Sequence, residues 1–329
     1  MNKPLLLGIV GAGLIVNNAH LPALRNLPGV RIVWIADRQP EQAARLGAAW
    51  KIPAVSQPAS PELLPPCDIA LLATPVHARA AYLAAFAGQH TAVLCEKPFA
   101  QSLAEHQHYC AQFSAERLGV GFQRRLQVQN RLMRELVAAQ TFGPLQRIRV
   151  QEGGRTTKAG PGGYFLDTQN GRSFGVLADL GSHTLDMIFS TLPPLAVHIK
   201  HCDMVIDEGI DRHVRAQFTL SAEQGDVEVD YCVTWLDSME NAAWWEFRHA
   251  TVKMGLAPGG ALQIMRGTSP LAHLDTGAIG ARTTAQAFFL QWQSFLAGVG
   301  TGTPSEVSAH SAVWVTRTVE ALHDEAGRT

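Results

Sequence analysis

Apolar positions along the first third of the chain fall in compact runs of strand length. Leu5 to Val10, Arg31 to Ala36, Asp68 to Ala73, Ala92 to Cys95 and Leu118 to Phe122 are near-continuous, as strands buried on both faces require. Between them lie segments of helical character, from Glu41 to Ala49, Ala78 to Ala87 and Ser102 to Ser114. This alternation predicts a parallel sheet covered by helices. A helix from about Phe122 to Ala139 follows, and Gly143-Pro144 then breaks the chain before a strand at Leu145 to Val150. Beyond residue 195 the runs change character. Leu195 to His201, Arg212 to Leu220, Asp226 to Trp235, Ala243 to His249, Thr251 to Leu256 and Leu262 to Met265 are short and separated by turn residues, which predicts a mostly antiparallel sheet. Ala285 to Ala297 and Ser308 to Ala326 close the chain as helices. The fold class is therefore α/β plus α+β: a doubly wound parallel sheet over residues 1–122, then an open-faced sheet domain over 123–329.

Composition narrows the partners. With 27 Lys and Arg against 28 Asp and Glu in 329 residues, no charge excess points to nucleic acid or an acidic membrane surface. A small-molecule partner fits better. The apolar amino terminus is interrupted by Gly11 and Gly13 and has no small-residue cleavage site after Val16, and no later apolar run nears the ~20 residues of a membrane span. Five cysteines, none in a Cys-x-x-Cys pair, suit a reducing cytoplasm.

Chemistry enters at the strand ends. Leu5 to Val10 runs into Gly11-Ala12-Gly13-Leu14-Ile15 and then a helical stretch, the setting of a dinucleotide turn. Its first glycine allows the tight turn, and its second lets backbone approach a pyrophosphate at the helix amino terminus. Val16 stands where a third glycine is expected, so the helix packs farther from the strand or starts differently. Asp37 ends the next strand 24 residues beyond Gly13, near the offset of an acidic residue that accepts ribose hydroxyls. This favours NAD, while Arg38 beside it leaves NADP possible; alternatively Asp37 only caps the helix that follows. Thr74-Pro75-Val76-His77 and Glu96-Lys97-Pro98 occupy two further strand ends, where open α/β sheets bind ligands. In the second half, Asp179, His183 and Asp186 fall at i, i+4 and i+7 of an otherwise apolar helix. Three ionisable groups in such a stripe are costly unless they face a ligand, a cavity or each other. His198 and His201 alternate across a strand, so no metal site is expected. Trp235, Trp244 and Trp245 read as core or interface aromatics.

Taken together, Gly-x-Gly followed by His20-Leu21-Pro22-Ala23-Leu24, then Asp37, Ala73-Thr74-Pro75 with His77, Glu96-Lys97-Pro98 and Asp179-x-Gly-x-His183-x-x-Asp186 resemble the glucose–fructose oxidoreductase, inositol dehydrogenase and MocA (Gfo/Idh/MocA) family over nearly the whole chain. The resemblance implies a Rossmann domain and a terminal helix, about 308–326, packed back on it. It places Lys97 beside a nicotinamide, joined in the active site by Asp179 and His183. Val76, where the family often has asparagine, departs from the pattern.

The expected cofactor residues are Gly11, Ala12, Gly13, Leu14, Ile15, Asp37, Arg38, Thr74, Pro75, His77, Glu96, Lys97 and Gln123. Arg124, Tyr164, Asp179, His183 and Asp186 are candidates for gripping substrate, with specificity in the glycine-rich stretch of residues 151–172. The expected activity is hydride transfer between NAD(P) and a secondary alcohol or ketone of a sugar, inositol or sugar derivative, with His183 as acid or base, Asp179 orienting and Lys97 holding the reacting oxygen. Two alternatives share these residues: transient oxidation within a non-redox reaction such as glycoside cleavage or epimerisation, and a non-catalytic dinucleotide sensor. A homodimer or homotetramer through the second sheet is expected.

Overall fold

The computed structural model describes residues 3–56, 61–155 and 175–327. The first sheet is built by β1 (Leu5–Val10), β2 (Val30–Asp37), β3 (Ala54–Ser56), β4 (Ile69–Leu72), β5 (Ala92–Cys95) and β6 (Leu118–Val120). All pair in parallel, in the order β3-β2-β1-β4-β5-β6. Every residue of β4 and β5 is buried, which is why these strands are apolar without alternation. The strand order reverses between β1 and β4, and such a switch point opens a crevice beyond the strand tips. The crossovers carry α1 (Leu21–Arg25), α2 (Pro40–Trp50), α3 (Arg79–Gly88) and α4 (Leu103–Ala111). Pro40 occupies the first turn of α2, where its missing N–H costs nothing, and Ser102 caps α4 by accepting from Glu105 N. Ahead of α1, residues Val16–His20 form a π-helical turn. Val16 is fully buried, so the missing third glycine is met by a helix that starts differently.

The chain continues through α5 (Val128–Ala138), β7 (Leu145–Gly153) and α6 (Ser182–Thr191), the last preceded by a second π-helical turn at Leu177–Gly181. Seven strands follow: β8 (Ala196–Asp207), β9 (Ile210–Ala222), β10 (Gly225–Thr234), β11 (Ala242–Phe247), β12 (Thr251–Gly255), β13 (Leu262–Arg266) and β14 (Ser269–Leu274). They join β7 in an eight-stranded sheet of order β14-β13-β12-β11-β7-β10-β9-β8, antiparallel except at β7 and β10. Register follows the period of two. Phe218, Val229, Ile148, Trp245 and Val252 are successive cross-strand partners and all are buried. One position along, Asp230, Arg149, Trp244 and Lys253 form a polar row in which Arg149 and Lys253 lie 5.2 and 5.6 Å from the Trp244 ring.

Two helices end the chain, α7 (Thr284–Thr301) and α8 (Val313–Ala326). Residues 1–123 and 284–313 form one compact unit, and 124–283 with 314–329 form the other. The first unit thus takes in α7 and the beginning of the 308–326 stretch, and the remainder of α8 falls in the second unit. Phe288, Trp292 and Phe295 of α7 are buried, and Phe288 meets His20 edge-on at 4.7 Å. Among the described residues no helix is long and apolar enough to cross a membrane.

Candidate active site

In the first unit, the ends of β1, β2 and β4 frame one cleft. Gly11, Gly13, Asp37, Arg38, Thr74, Pro75 and His77, seven of the residues expected to hold a dinucleotide, line it together with Gln39 and Tyr82. Gly11 has φ +103°, and a Cβ there would stand 2.5 Å from the Ala73 carbonyl oxygen, so only glycine lets the turn pass β4. Gly13 has open space where its Cβ would be. The two glycines therefore do different work: the first brings the chain past the neighbouring strand, and the second leaves open space in the cleft.

Asp37 ties the turn to β2. Its Oδ2 accepts from Ala12 N at 2.7 Å and its Oδ1 from Gln39 N at 2.8 Å, which leaves each oxygen a further lone pair for a ribose hydroxyl. Asp37 does not cap α2, whose N-cap is Gln39 with no side-chain cap bond. Leu14 and Ile15, also expected to hold cofactor, follow the turn at 49% and 40% exposure. Thr74 Oγ1 and Gln123 Oε1 are sealed from solvent and have no hydrogen-bond partner among the described residues. Of the two, only Thr74 lines the cleft; its orphaned hydroxyl, with open space over Gly13, fits a dinucleotide there.

The Lys97–Pro98 bond at the end of β5 is cis, and Lys97 is partly exposed at that corner. Glu96, expected among the cofactor residues, turns inward instead: Oε1 lies 2.8 Å from His20 Nε2, and Oε2 accepts the Lys97 backbone N–H at 3.2 Å. Arg79 is fully buried and joins two strand ends. Its Nη2 donates to the Thr74 carbonyl at 2.9 Å, and its Nη1 donates to the Pro98 carbonyl and, at 3.2 Å, to that of Phe99. Burial pushes the Cys95 thiol up to about 12, so this neighbour of the corner is no nucleophile.

In the second unit, the π-helical turn carries Asp179 and α6 carries His183. Asp179 is half-buried and His183 is 9% exposed. Tyr231 from β10 pins the junction: its hydroxyl donates to the Gly181 carbonyl at 3.2 Å and lies 2.7 Å from Thr184 Oγ1. A Cβ on Gly181 would come within 2.9 Å of that hydroxyl, which explains the glycine between Asp179 and His183. Asp211 anchors the other end by accepting from Gly175 N at 3.2 Å and Leu177 N at 2.8 Å.

Arg124 forms a two-pronged pair with Glu152 at 2.8 and 2.7 Å. Burial opposes its charge, but the Glu152 and Asp179 carboxylates raise its pKa above the ordinary arginine value. Asp186, expected to grip substrate, is 0% exposed; Arg125 donates from Nε to both of its oxygens at 2.9 Å and from Nη2 to Oδ1 at 2.5 Å. Spacing alone put it in one stripe with Asp179 and His183, but buried Arg125 commits its carboxylate to the interior. Tyr164 and most of the glycine-rich stretch lie outside the described residues.

A switch-point cleft with a glycine turn, an acidic residue at the second strand and a lysine corner at the fifth defines a dinucleotide-binding α/β protein with a second, sheet-based unit. Residues 5–122 match the family model described as "Oxidoreductase family, NAD-binding Rossmann fold". This is the Gfo/Idh/MocA family that the motifs resemble, and the match is confined to this first stretch of the chain. It is 28% identical over 188 residues to glucose-6-phosphate 3-dehydrogenase of Bacillus subtilis (strain 168), a match covering 56% of this chain and 52% of that protein. The chain thus matches about half the length of that curated relative. Among solved structures, an oxidoreductase from Agrobacterium radiobacter in complex with NAD+, L-tartaric acid and magnesium superposes with a TM-score of 0.80 at 20% identity, covering 99% of this chain and 97% of the other. Aldose-aldose oxidoreductase from Caulobacter crescentus, complexed with glycerol, gives 0.82 at 19% identity, covering 99% and 98%. These likenesses show the fold.

Proposed function

We propose that the protein is an NAD(P)-dependent dehydrogenase or reductase acting on a secondary alcohol or ketone of a sugar-like substrate. The observation that carries this reading is the cleft over Gly13, with Asp37 and the orphaned Thr74 hydroxyl on its walls and a lysine at the neighbouring strand end. The sugar dehydrogenase relative supports the substrate class. A nicotinamide dinucleotide bound in the cleft supplies the hydride acceptor or donor.

The proposed work of the chain's own residues is as follows. His183 takes or returns the hydroxyl proton, since an imidazole titrates near working pH. Asp179 orients that imidazole or a substrate hydroxyl. Lys97 donates hydrogen bonds to the reacting oxygen and stabilises negative charge developing there. Arg124 is held by Glu152 as a fixed donor for further hydroxyls. Asp37 favours NAD, because its carboxylate repels a 2′-phosphate. We further propose a cytoplasmic enzyme that assembles as a homo-oligomer through the second sheet.

Lys97→Ala is expected to abolish turnover, followed by NADH absorbance with a panel of sugars and sugar phosphates, while NAD affinity measured by calorimetry stays within about threefold, because the lysine's contribution is concentrated on the reacting oxygen. Turnover near that of the parent would remove Lys97 from the mechanism. Sugar conversion by the parent without net NADH would favour transient oxidation.

A further inference from the structure

Beneath the Lys97 corner, side chains from three distant parts of the first unit form one buried hydrogen-bond chain. Trp292 Nε1 donates to His20 Nδ1 at 3.1 Å, His20 Nε2 lies 2.8 Å from Glu96 Oε1, and the Lys97 backbone N–H reaches Glu96 Oε2 at 3.2 Å. His20 and Trp292 are 0% exposed and Glu96 is 7% exposed, so no bulk water can substitute for a lost partner. An indole N–H only donates. His20 Nδ1 is therefore the acceptor, and the ring's proton sits on Nε2, where it is donated to Glu96. Trp292 thus sets the direction of the His20–Glu96 bond, while the Lys97 backbone N–H, which can only donate, makes the other Glu96 oxygen an acceptor as well.

The surroundings preserve this geometry. Phe288 stands edge-on to the His20 ring at 4.7 Å, and a Cβ on Gly121 would fall 2.8 Å from Glu96 Oε1. The imidazole plane is held and the space beside the carboxylate is kept clear.

We propose that Trp292 and His20 are positioning residues for Lys97: they fix Glu96 as an acceptor on both oxygens, and Glu96 fixes the backbone from which the lysine side chain leaves. The inference rests on Lys97 being the residue that meets the reacting oxygen. It also gives the inward turn of Glu96 a purpose other than binding cofactor.

The polarity of the chain supplies the test. Glu96→Gln places one acceptor and one donor where two donors converge, so either orientation of the amide sets donor against donor. His20 cannot relieve this by moving its proton to Nδ1, because Trp292 donates there. In the double variant Glu96→Gln/Trp292→Phe it can. Opposed buried donors are expected to lower kcat about tenfold in Glu96→Gln, and the double variant is expected to recover most of that loss although two groups have been changed. Losses that simply multiply would overturn the proposal.

Two readouts need no substrate. Long-range proton–nitrogen NMR of the parent protein should show His20 bare at Nδ1 and protonated at Nε2, with the pattern reversed in the double variant. A parent ring protonated at Nδ1 would overturn the proposal whatever the variants do. The rate at which trinitrobenzenesulfonate modifies Lys97, read by peptide mass spectrometry, should change in Glu96→Gln and return toward the parent value in the double variant; an unchanged rate in Glu96→Gln would likewise overturn it. If the parent turns over none of the sugars, the functional reading fails while these two measurements still decide the positioning role.

Discussion

The guanidinium of Arg79 is spent on backbone carbonyls. It donates to Thr74 at the end of β4 and to Pro98 and Phe99 beyond β5, so one buried cation sets the spacing of two corners of the candidate site. Arg79→Met is expected to leave these acceptors without donors and to lower unfolding free energy by about 2–4 kcal/mol in urea titration. Arg79→Lys, which keeps the charge but not the fork, should recover only part of that. The residues that announce themselves in the sequence are those at strand ends with turn chemistry: Gly11, Asp37, Thr74 and Lys97 all stand where their neighbours' pattern puts them. Arg79, His20, Glu152 and Arg125 were not legible as partners. Each acts across a gap of at least 28 residues in at least one of its bonds or acts on backbone, and neither leaves a spacing signal. Asp186 shows the converse, since its helical spacing was visible but the arginine that claims it was not.

At the scale of elements, each of the two π-helical turns adjoins candidate site residues: one follows the glycine turn and ends at His20, the other carries Asp179. A wider turn rotates the side chains beyond it relative to an ordinary helix, so heptad-like counting from Asp179 to Asp186 overstates their alignment. Gly181→Ala is expected to press on the Tyr231 hydroxyl 2.9 Å away and to destabilise the second unit by about 1–3 kcal/mol, measured by chemical unfolding. Gly181→Ala/Tyr231→Phe should regain part of the loss. Most strands and helices were readable from apolar periods. The exceptions were β3, only three residues long, and β14, in which every residue is exposed and no hydrophobic period exists to be read.

For the molecule as a whole, two buried titratable groups respond to acid with opposite sign. In the first unit, burial lowers the His106 pKa from 6.5 to about 4. The unfolded chain takes up this proton first, so stability is expected to fall by up to about 3 kcal/mol as pH drops from 6.5 toward 4. In the second unit, burial raises Asp211 from 3.8 to about 6, against the pull of its backbone hydrogen bonds. Here the folded state takes up the proton first, so the cost of burying charge is relieved as pH falls from 6 toward 4, by a similar amount. Calorimetric unfolding between pH 7 and 4 should show the slopes, with His106→Asn and Asp211→Asn each flattening its own contribution; parallel slopes in parent and variant would contradict the assignment. The split of the first unit between residues 1–123 and 284–313 bears on biosynthesis. A ribosome finishes all six strands of the nucleotide domain by Val120, yet Trp292, which orients His20, is made some 170 residues later. The lysine corner is therefore among the last parts of the first unit to be set, after the whole second sheet has been translated.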